Sequence, residues 1–363
     1  MNDQIPAIRS IGNIEGSLLT SQKPTWGIVA TVHEPFEILR LFVTHHLAMG
    51  ATKIRLYLEG PDGPAFAEKL KDFAGCEPII ADNTHYATYL PNGLGAIFPQ
   101  RQHTNATAAY REMDVDWILH IDADEFLQST DLSDELDRLP ADINSVRFVN
   151  GERYFVEGEE ADTPLNGHCL APLLADHPTS APFRKEPYVS FTNNGFTAHD
   201  LGKSATRAGV PVEIQVHWPD PSPLIRSHIS NESWLVHYDA ITPTHWLSKL
   251  LRFHRANRRM YRNPRTGGQR YKQIQYFLAR NWDLEEATRI FDALRRLTPD
   301  HAEQLRKLDL LRPIMHLRSS EGETPTAPFD AARFDAAVIR SIQNPPSGML
   351  SGQGAVDAFA GLD

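Results

Sequence analysis

Three carboxylates stand close together in the segment HIDADEFL, residues 120–127. Asp122, Asp124 and Glu125 follow directly after an apolar run, and apolar side chains come next. Acids in such surroundings are unfavourable unless something cationic compensates them. Mg²⁺ and Mn²⁺ prefer oxygen ligands and typically bind one or two carboxylates together with substrate phosphates. The segment therefore predicts a site for Mn²⁺ or Mg²⁺ that also binds a phosphate-bearing ligand.

The elements before the acids predict where the acids lie. Apolar runs predict strands at residues 26–32, 53–59, 77–81 and 116–121, and helical spacing predicts helices after Pro35, at 65–73 and at 100–113. The order β-α-β-α-β-loop-α-β indicates a parallel, Rossmann-like sheet in an α/β protein. Ligands bind beyond the carboxyl ends of such strands, which favours a functional motif over a solvated turn. Side-chain alternation predicts Asp122 and Asp124 on one side, with Glu125 pointing elsewhere.

Two segments carry a resemblance to a known family. WGIVATVHEPFEILRLFVTHHLAMGATKIRLYLEGPDG, residues 26–63, and DWILHIDADEFLQ, residues 116–128, resemble the glycosyltransferase family 2-like group with an Asp-x-Asp-Glu-Phe motif, and the related family 92. The resemblance extends over roughly residues 26–255. It implies a GT-A fold and metal-dependent transfer of a sugar from a nucleoside diphosphate, with UDP favoured, to a hydroxyl of a glycan or lipid-linked acceptor. It also implies that Asp122 faces the ribose or donor sugar, that Asp124 ligates the metal, and that Glu125 orients the motif.

The same resemblance implies a nucleotide site at the carboxyl ends of the first strands. Thr31 and Glu34 would hold the nucleoside, Asp82 the base, and Arg101 and Asn105 the nucleotide from a polar helix. Simpler explanations exist for three of them. An acid such as Glu34 is favoured in a first helical turn, Asp82 is an ordinary residue after a strand, and Arg101 fits a solvated helix end.

Further candidates follow in the second half of the resemblance. WLVHYDAITPTHWLSKLLR, residues 234–252, resembles the family's His-Tyr segment, which implies that His237 joins Asp122 and Asp124 at the metal and that Lys249 contacts phosphate or acceptor. A structural role for one of sixteen histidines is the alternative. GKSATR, residues 202–207, makes Lys203 and Arg207 candidate phosphate contacts, although it lacks the spacing of a P-loop.

The catalytic base is the least determined residue. An inverting transferase needs a carboxylate or histidine near the acceptor hydroxyl. Asp200 is favoured because it neighbours GKSATR, ahead of Glu152, Glu186 and His199. A retaining enzyme would need no base at that place.

Charge and composition restrict the class of partner. The formal net charge of -10 argues against a nucleic-acid-binding protein. Nine Lys or Arg residues and no acids lie between Lys249 and Lys272. At helical spacing Arg252, Arg255, Arg259 and Arg262 would share a face, which predicts an anionic acceptor or lipid head group as partner. The alternative is pairing with acids of the helical tail, namely Glu285, Glu286 and Asp292.

The sequence has no apolar stretch of membrane-spanning length, and MNDQIPAIRS has no apolar run typical of a secretory signal. A cytoplasmic protein is expected, with peripheral contact at the inner face of the membrane left open. Cys76 and Cys169 have no motif spacing and are expected to be separate, reduced thiols.

The predicted organisation is one transferase domain with extensions. An irregular lead-in, 1–25, precedes a GT-A domain at 26–240, whose nucleotide-binding half is 26–128 and whose acceptor half is 129–240. A helical extension, 241–318, and a partly disordered tail, 319–363, with a helix near 329–342, complete the chain. A hexosyltransferase-like enzyme of polysaccharide biosynthesis is expected. The alternatives are a non-catalytic carbohydrate-binding or scaffold protein, and a sugar nucleotidyltransferase, which TVHEPF, residues 31–36, disfavours because a Gly-rich loop belongs there.

Overall fold

A computed structural model of the chain describes residues 23–159, 161, 163–173, 178–193, 195–256, 264–318 and 329–343. This part of the chain has a mixed α/β fold. The strands are β1 Trp26–Val32, β2 Lys53–Leu58, β3 Cys76–Ile80, β4 Trp117–His120, β5 Glu125–Gln128, β6 Ser145–Phe148, β7 Asn150–Val156, β8 His168–Leu170, β9 Lys203–Arg207, β10 Ser227–Ile229, β11 Trp234–His237, β12 Arg296–Leu297 and β13 Leu311–Pro313. The helices are α1 Phe36–Ala48, α2 Gly63–Leu70, α3 Asn83–Ala87, α4 Phe98–Glu112, α5 Leu132–Asp137, α6 Tyr188–Phe191, α7 Pro243–Ala256, α8 Pro264–Leu278, α9 Leu284–Leu294, α10 Pro299–Lys307 and α11 Ala331–Gln343.

The larger sheet has seven strands in the order β10-β6-β9-β4-β1-β2-β3. Adjacent strands of this sheet are parallel, except that β9 runs antiparallel to both β4 and β6. Every residue of β1 is buried, as expected for a parallel strand covered on both faces. The predicted Rossmann-like order of the first four strands, and the mostly parallel sheet, are therefore confirmed. The carboxyl ends of β1, β2 and β4 lie at one edge of this sheet.

A second, six-stranded sheet was not predicted. Its path is β13-β8-β7-β11-β5, with β12 also paired to β7. The chain enters it from the larger sheet through residues 121–124, through Val149 and through residues 230–233. Residues 145–150, SVRFVN, read as one strand in the sequence, but the chain forms the end-to-end strands β6 and β7 there and changes sheets at Val149. The strand-like run PVEIQVHW, residues 211–218, forms no strand, and Ile214 makes only an isolated bridge with Pro219.

The carboxyl-terminal region is mostly helical, as expected, but it also completes the second sheet. β12 pairs with β7, and β13 pairs with β8. The helix expected near 329–342 is α11. Cys76 and Cys169 are both free thiols, as expected. Among the helices described, none has the length and apolar character needed to cross a membrane.

Two neighbouring histidines of α1 hold the edge of β5, the outermost strand of the second sheet. Nε2 of His45 donates to the carbonyl oxygen of Leu127 at 2.8 Å, and Nε2 of His46 accepts from the Leu127 N–H at 3.1 Å. Nδ1 of His45 accepts from the N–H of Arg318, while Nδ1 of His46 donates to the carbonyl oxygen of Phe42. Each ring donates once and accepts once, which requires both to be neutral. Together they bind both backbone groups of a residue two positions after Glu125.

Mild acid is expected to destabilise the fold through this pair. Burial lowers the pKa of His45 to about 4 and that of His46 well below its ordinary value. Both folded-state pKa values lie below the unfolded value, so the unfolded chain binds more protons and stability falls as the pH drops below about 6.5. At pH 5 the loss is about 2 kcal/mol per histidine. Urea unfolding at pH 7 and pH 5 measures it.

The control for this measurement is a pair of variants. His45→Gln with His46→Gln should lose less stability than the wild type between the two pH values, and His316→Gln, at an exposed position, should behave as the wild type. Equal losses in the double variant and the wild type would contradict the assignment of the acid sensitivity to this pair.

Candidate functional site

The three acids lie in a tight turn between the two sheets. β4 ends at His120, and the N–H of Glu125 donates to the carbonyl oxygen of Asp122 at 3.0 Å. In return, Oε2 of Glu125 accepts from the N–H of Asp122 at 2.8 Å. The expectation that Glu125 points away is wrong, because alternation applies only within a strand and this chain turns after His120. The side chain of Glu125 folds back into the motif and is fully buried.

Asp122 is held by residues from two elements. Nε2 of Gln102, on α4, donates to its Oδ1, and Nζ of Lys203, on β9, donates to its Oδ2 at 2.7 Å. The same Nζ lies 3.4 Å from Oε2 of Glu125. Gly202, directly before Lys203, has a φ of +71°, and a Cβ on it would lie 2.3 Å from the carbonyl oxygen of Phe148. Glycine therefore permits the close backbone packing that directs Lys203 to this place. Lys203 is thus a fully buried counter-ion of the motif.

Asp124 has a different set of partners. Nζ of Lys249, on α7, donates to its Oδ2, and Nε2 of His237, at the end of β11, lies 3.5 Å from the same oxygen. The pairing of β11 with β5, which sets His237 opposite Glu125, brings the imidazole there. The backbone N–H of Tyr238 also donates to the Asp124 carbonyl oxygen at 2.9 Å. Each aspartate of the motif is therefore matched by one buried lysine.

The ionisation of the turn follows from these contacts. Burial opposes the charge of both aspartates, yet Lys203 lowers the pKa of Asp122 and Lys249 holds the pKa of Asp124 well below its usual range. Burial raises the pKa of Glu125 to about 7, despite Lys203. Burial alone would lower the pKa of His237, but the charge of Asp124 outweighs that effect and raises the pKa to about 9. At neutral pH the turn thus holds two charged aspartates beside two ammonium groups and an imidazolium.

One face of α7 ties this turn to the end of β1. His245, Lys249 and Arg252 recur at spacings of four and three residues, which puts them on the same side of the helix. Nε2 of His245 donates to Oε2 of Glu34 at 2.8 Å, and Arg252 donates to Oε1 at 2.9 Å. Burial alone would raise the pKa of Glu34, but the charge of Arg252 outweighs that effect, so the pKa is lowered. Glu34 thus anchors the helix that carries Lys249.

A polar network fills the adjoining carboxyl ends of β1 and β2. Nδ2 of Asn105 donates to Oγ1 of Thr31 at 2.9 Å and to the hydroxyl of Tyr86 at 2.8 Å. Arg101 donates to both oxygens of Glu59, at 2.6 and 2.9 Å. Thr31, Arg101 and Asn105 thus lie in one network, linked through Tyr86 and Glu59, and their contact with a nucleotide stays a prediction. The guanidinium of Arg101 is engaged by Glu59 rather than turned to Asp122.

Asp82 has a local structural role. Its carboxylate accepts from the N–H of His85 at 3.0 Å and so caps α3. Its side chain is exposed, and His85 in turn contacts Oδ1 of Asn105 at 2.9 Å. The simpler explanation considered for Asp82 matches this geometry.

Several polar atoms beside the acid turn lack a hydrogen-bond partner among the residues that the structure describes, including Nε2 of His120 and Nδ1 of His237. Oε1 of Glu125 and Nδ1 of His199 are enclosed, with no hydrogen-bond partner in the described part of the chain. Asp122, Glu125 and His199 each offer a ligand atom, and these atoms lie within 4.8 Å of one another. The His199 ring stacks on His237 with centroids 5.3 Å apart. The structure thus groups Asp122 with Glu125 and His199, whereas the predicted ligands Asp124 and His237 form a second pair.

Three predicted residues lie elsewhere or are differently engaged. Arg207 pairs with Trp117 at the beginning of β4, about 13 Å along β9 from Lys203 at about 3.3 Å per residue. Its guanidinium covers the Trp117 ring, so Arg207 is not part of the candidate site. Glu152, an alternative base, is fully buried and bound by Arg295. Asp200 is half-buried in the loop before β9.

The basic stretch does not form one free face. Arg252 binds Glu34, Arg255 donates to the carbonyl oxygen of Ile342 on α11, and Arg270 pairs with Asp239. Glu286, an expected partner, pairs with Arg289 instead. Arg258, Arg259 and Arg262 lie outside the described residues, as does the side chain of Arg265.

Sequence reasoning missed several contacts of the site. It did not predict the Gln102 contact with Asp122 or the anchoring of Glu34 by His245, and it named His199 only as an alternative base. The spacing of His245, Lys249 and Arg252 is the signal that was available, since three basic or imidazole side chains on one buried face of a helix need acidic partners.

Comparison with known proteins gives no assignment. No protein-family model matches the chain. A search of curated proteins found no match either. The chemistry of the site must be inferred from its own geometry.

Proposed function

We propose that the chain is a divalent-metal-dependent glycosyltransferase with a GT-A fold. The observation that carries this proposal is the turn of residues 122–125, where three carboxylates meet two buried lysines at the carboxyl end of β4. Ligands of open α/β sheets bind at that edge. The donor is a nucleoside-diphosphate sugar, with UDP favoured, and the acceptor is a hydroxyl of a glycan or lipid-linked molecule.

The residues of the turn fit a divalent cation. Asp122, Glu125 and His199 offer three ligand atoms within 4.8 Å, and two of the three side chains have an enclosed atom that lacks a partner. Asp124 adds a further carboxylate, and His237, whose Nε2 lies 3.5 Å from Oδ2 of Asp124, is a charged partner of that carboxylate rather than a ligand. Oxygen-rich donors with an imidazole suit Mn²⁺ or Mg²⁺. A bound cation would neutralise charge that develops on the departing diphosphate.

The chain's own groups supply the remaining requirements. Gln102 fixes the orientation of Asp122, and Lys203 and Lys249 offer ammonium groups at the place where a diphosphate would lie. His237, charged at neutral pH because of Asp124, adds a third positive group. Positive groups held at the place where negative charge develops stabilise a leaving group. Asp200, next to His199, remains the predicted base toward the acceptor hydroxyl.

Slow donor hydrolysis tests the proposed function directly. The purified protein is incubated with a panel of sugar nucleotides and Mn²⁺, and release of the nucleoside diphosphate is measured. We expect release from one donor, dependent on Mn²⁺ and abolished by chelator. The melting temperature should rise more with UDP or GDP and Mn²⁺ together than with either component alone. A ligand that binds only the native state stabilises that state by about 2.7 kcal/mol when its concentration is 100 times its Kd.

Other outcomes separate the alternative classes. Binding of a glycan without turnover of any donor would favour a non-catalytic carbohydrate-binding protein. Formation of a sugar nucleotide from a sugar phosphate and a nucleoside triphosphate would favour a nucleotidyltransferase. A melting shift with Mn²⁺ alone that the nucleotide never enlarges would count against a diphosphate site.

A further inference from the structure

Each lysine of the site is bonded to an aspartate oxygen that a metal could use. Nζ of Lys203 is bonded to Oδ2 of Asp122 and lies 3.4 Å from Oε2 of Glu125, while Nζ of Lys249 is bonded to Oδ2 of Asp124. The side chain of Lys203 is fully buried, and that of Lys249 is 8% exposed. A carboxylate oxygen in such a place can serve an ammonium group or a divalent cation, but two positive groups at one point repel each other.

The lysines approach the turn from independent supports. Lys203 comes from β9, directed by Gly202, and Lys249 comes from α7, which Glu34 anchors through His245 and Arg252. Their backbones are therefore fixed, and only the four-carbon stems can move. Lysine suits such a movement, because its ammonium group is a compact charge with three donors on a flexible stem.

A displaced ammonium group needs a new anion nearby. Leaving a buried charge without a partner costs several kcal/mol. Once Asp122, Asp124 and Glu125 serve the cation, the neighbouring carboxylates are already engaged, since Glu34 is bound by His245 and Arg252, and Asp239 by Arg270. A diphosphate would supply the missing negative charge, and in the proposed function it arrives beside the same acids.

We propose that Lys203 and Lys249 are exchangeable counter-ions, which leave the acids for the diphosphate when a divalent cation binds, so that the site takes up cation and nucleoside diphosphate together and either alone only weakly. This inference rests on the proposed function and adds the binding order and the role of the two lysines. It predicts strong positive coupling between the two ligands, of the size typical of linked sites, roughly 5- to 150-fold in affinity.

Mn²⁺ binding in the absence and presence of UDP tests the exchange. The EPR signal of free Mn²⁺ gives the Kd, and a protein-free titration corrects for ion bound by UDP in solution. GDP is run in parallel. For the wild type we expect weak binding of Mn²⁺ alone and at least about 10-fold tighter binding with one of the nucleotides.

Variants of the lysines make the test specific. In Lys249→Met, and separately in Lys203→Met, a carboxylate loses its competing ammonium group, so Mn²⁺ alone should bind on the order of 10-fold tighter while the coupling to nucleotide falls. Circular dichroism establishes that each variant is folded, and either variant suffices. Lys307→Met, at an exposed position on α10, is the matched control and should bind as the wild type does.

The possible failures are distinguishable. If Mn²⁺ binds equally well with and without nucleotide, or if the folded variants bind Mn²⁺ alone no tighter than the wild type, the exchange is overturned and the proposed function stands. If neither UDP nor GDP binds with Mn²⁺ under any condition, the proposed function itself fails, and the exchange fails with it.

Discussion

Replacing Asp124 by asparagine is expected to lower donor turnover by at least about 100-fold. Asparagine has the same shape, but it carries no charge to balance Lys249 and His237 or to ligate a cation. The pKa of Asp124 lies well below its usual range because Lys249 outweighs its burial, so the wild-type group is charged at any working pH. Release of nucleoside diphosphate from the accepted donor, measured with saturating Mn²⁺, gives the ratio.

Asparagine is preferred to alanine at this position. Asp124 is only 5% exposed, and alanine would leave the buried Lys249 with neither a counter-charge nor a hydrogen-bond acceptor, which can destabilise a protein by about 3–5 kcal/mol. The amide oxygen of asparagine can still accept from Lys249. Asp137→Asn, at an exposed position on α5, is the matched control and should keep wild-type turnover. Full activity of Asp124→Asn in the presence of chelator would rule out the metal mechanism.

Replacing Arg295 by methionine is expected to lower the free energy of unfolding by about 3–5 kcal/mol. The guanidinium donates to Oε2 of Glu152 at 2.6 Å and to Oγ1 of Thr197 at 2.7 Å. Glu152 is fully buried, so the variant leaves a carboxylate without a counter-charge in the core of the second sheet. Urea unfolding at neutral pH measures the loss.

Two further variants control this measurement. Arg296→Met, at the neighbouring exposed position, should change stability by less than about 0.5 kcal/mol. Adding Glu152→Gln to Arg295→Met removes the orphaned charge and should restore part of the loss. A loss below about 1 kcal/mol in Arg295→Met would mean that the pair contributes little to the stability of the fold.

The first half of the larger sheet was predictable because its signals are local. β1 is a continuous apolar run bounded by a turn and a helix start, and its predicted bounds are those observed. The acid motif was equally visible, since Asp122 and Asp124 follow the strand directly. Position at the carboxyl end of a parallel strand needs only the order of the elements, which hydrophobic spacing gives.

The partners of the acids were harder to predict because they are distant in sequence. Lys203 lies 81 residues from Asp122, and Lys249 lies 125 residues from Asp124. Both were candidates through resemblance, but their pairing with the acids depends on how β9 and α7 pack. Arg207 lies in the same short segment as Lys203, but the sequence does not indicate which end of that strand faces the site.

The second sheet escaped prediction for a related reason. β8 and β13 have three residues each and β12 has two, too few for a pattern of alternation to be recognised. Their stability comes from long-range pairing rather than from their own residues. The two histidines that hold β5 were likewise unforeseen, because adjacent imidazoles on a helix have no meaning until the strand beside them is known.

The turn between β4 and β5 has a consequence for how the length of this protein can change over evolution. Four residues carry the chain from one sheet to the other, and both flanking strands are fully buried. One inserted residue would shift the pairing of β5 with β11 and send each of its side chains to the opposite face. Residues 138–144, between α5 and β6, are largely exposed and carry no such restriction. Relatives of this protein should therefore differ by insertions and deletions in the segment that corresponds to residues 138–144. The segment that corresponds to residues 121–124 should keep a constant length even where its residues change.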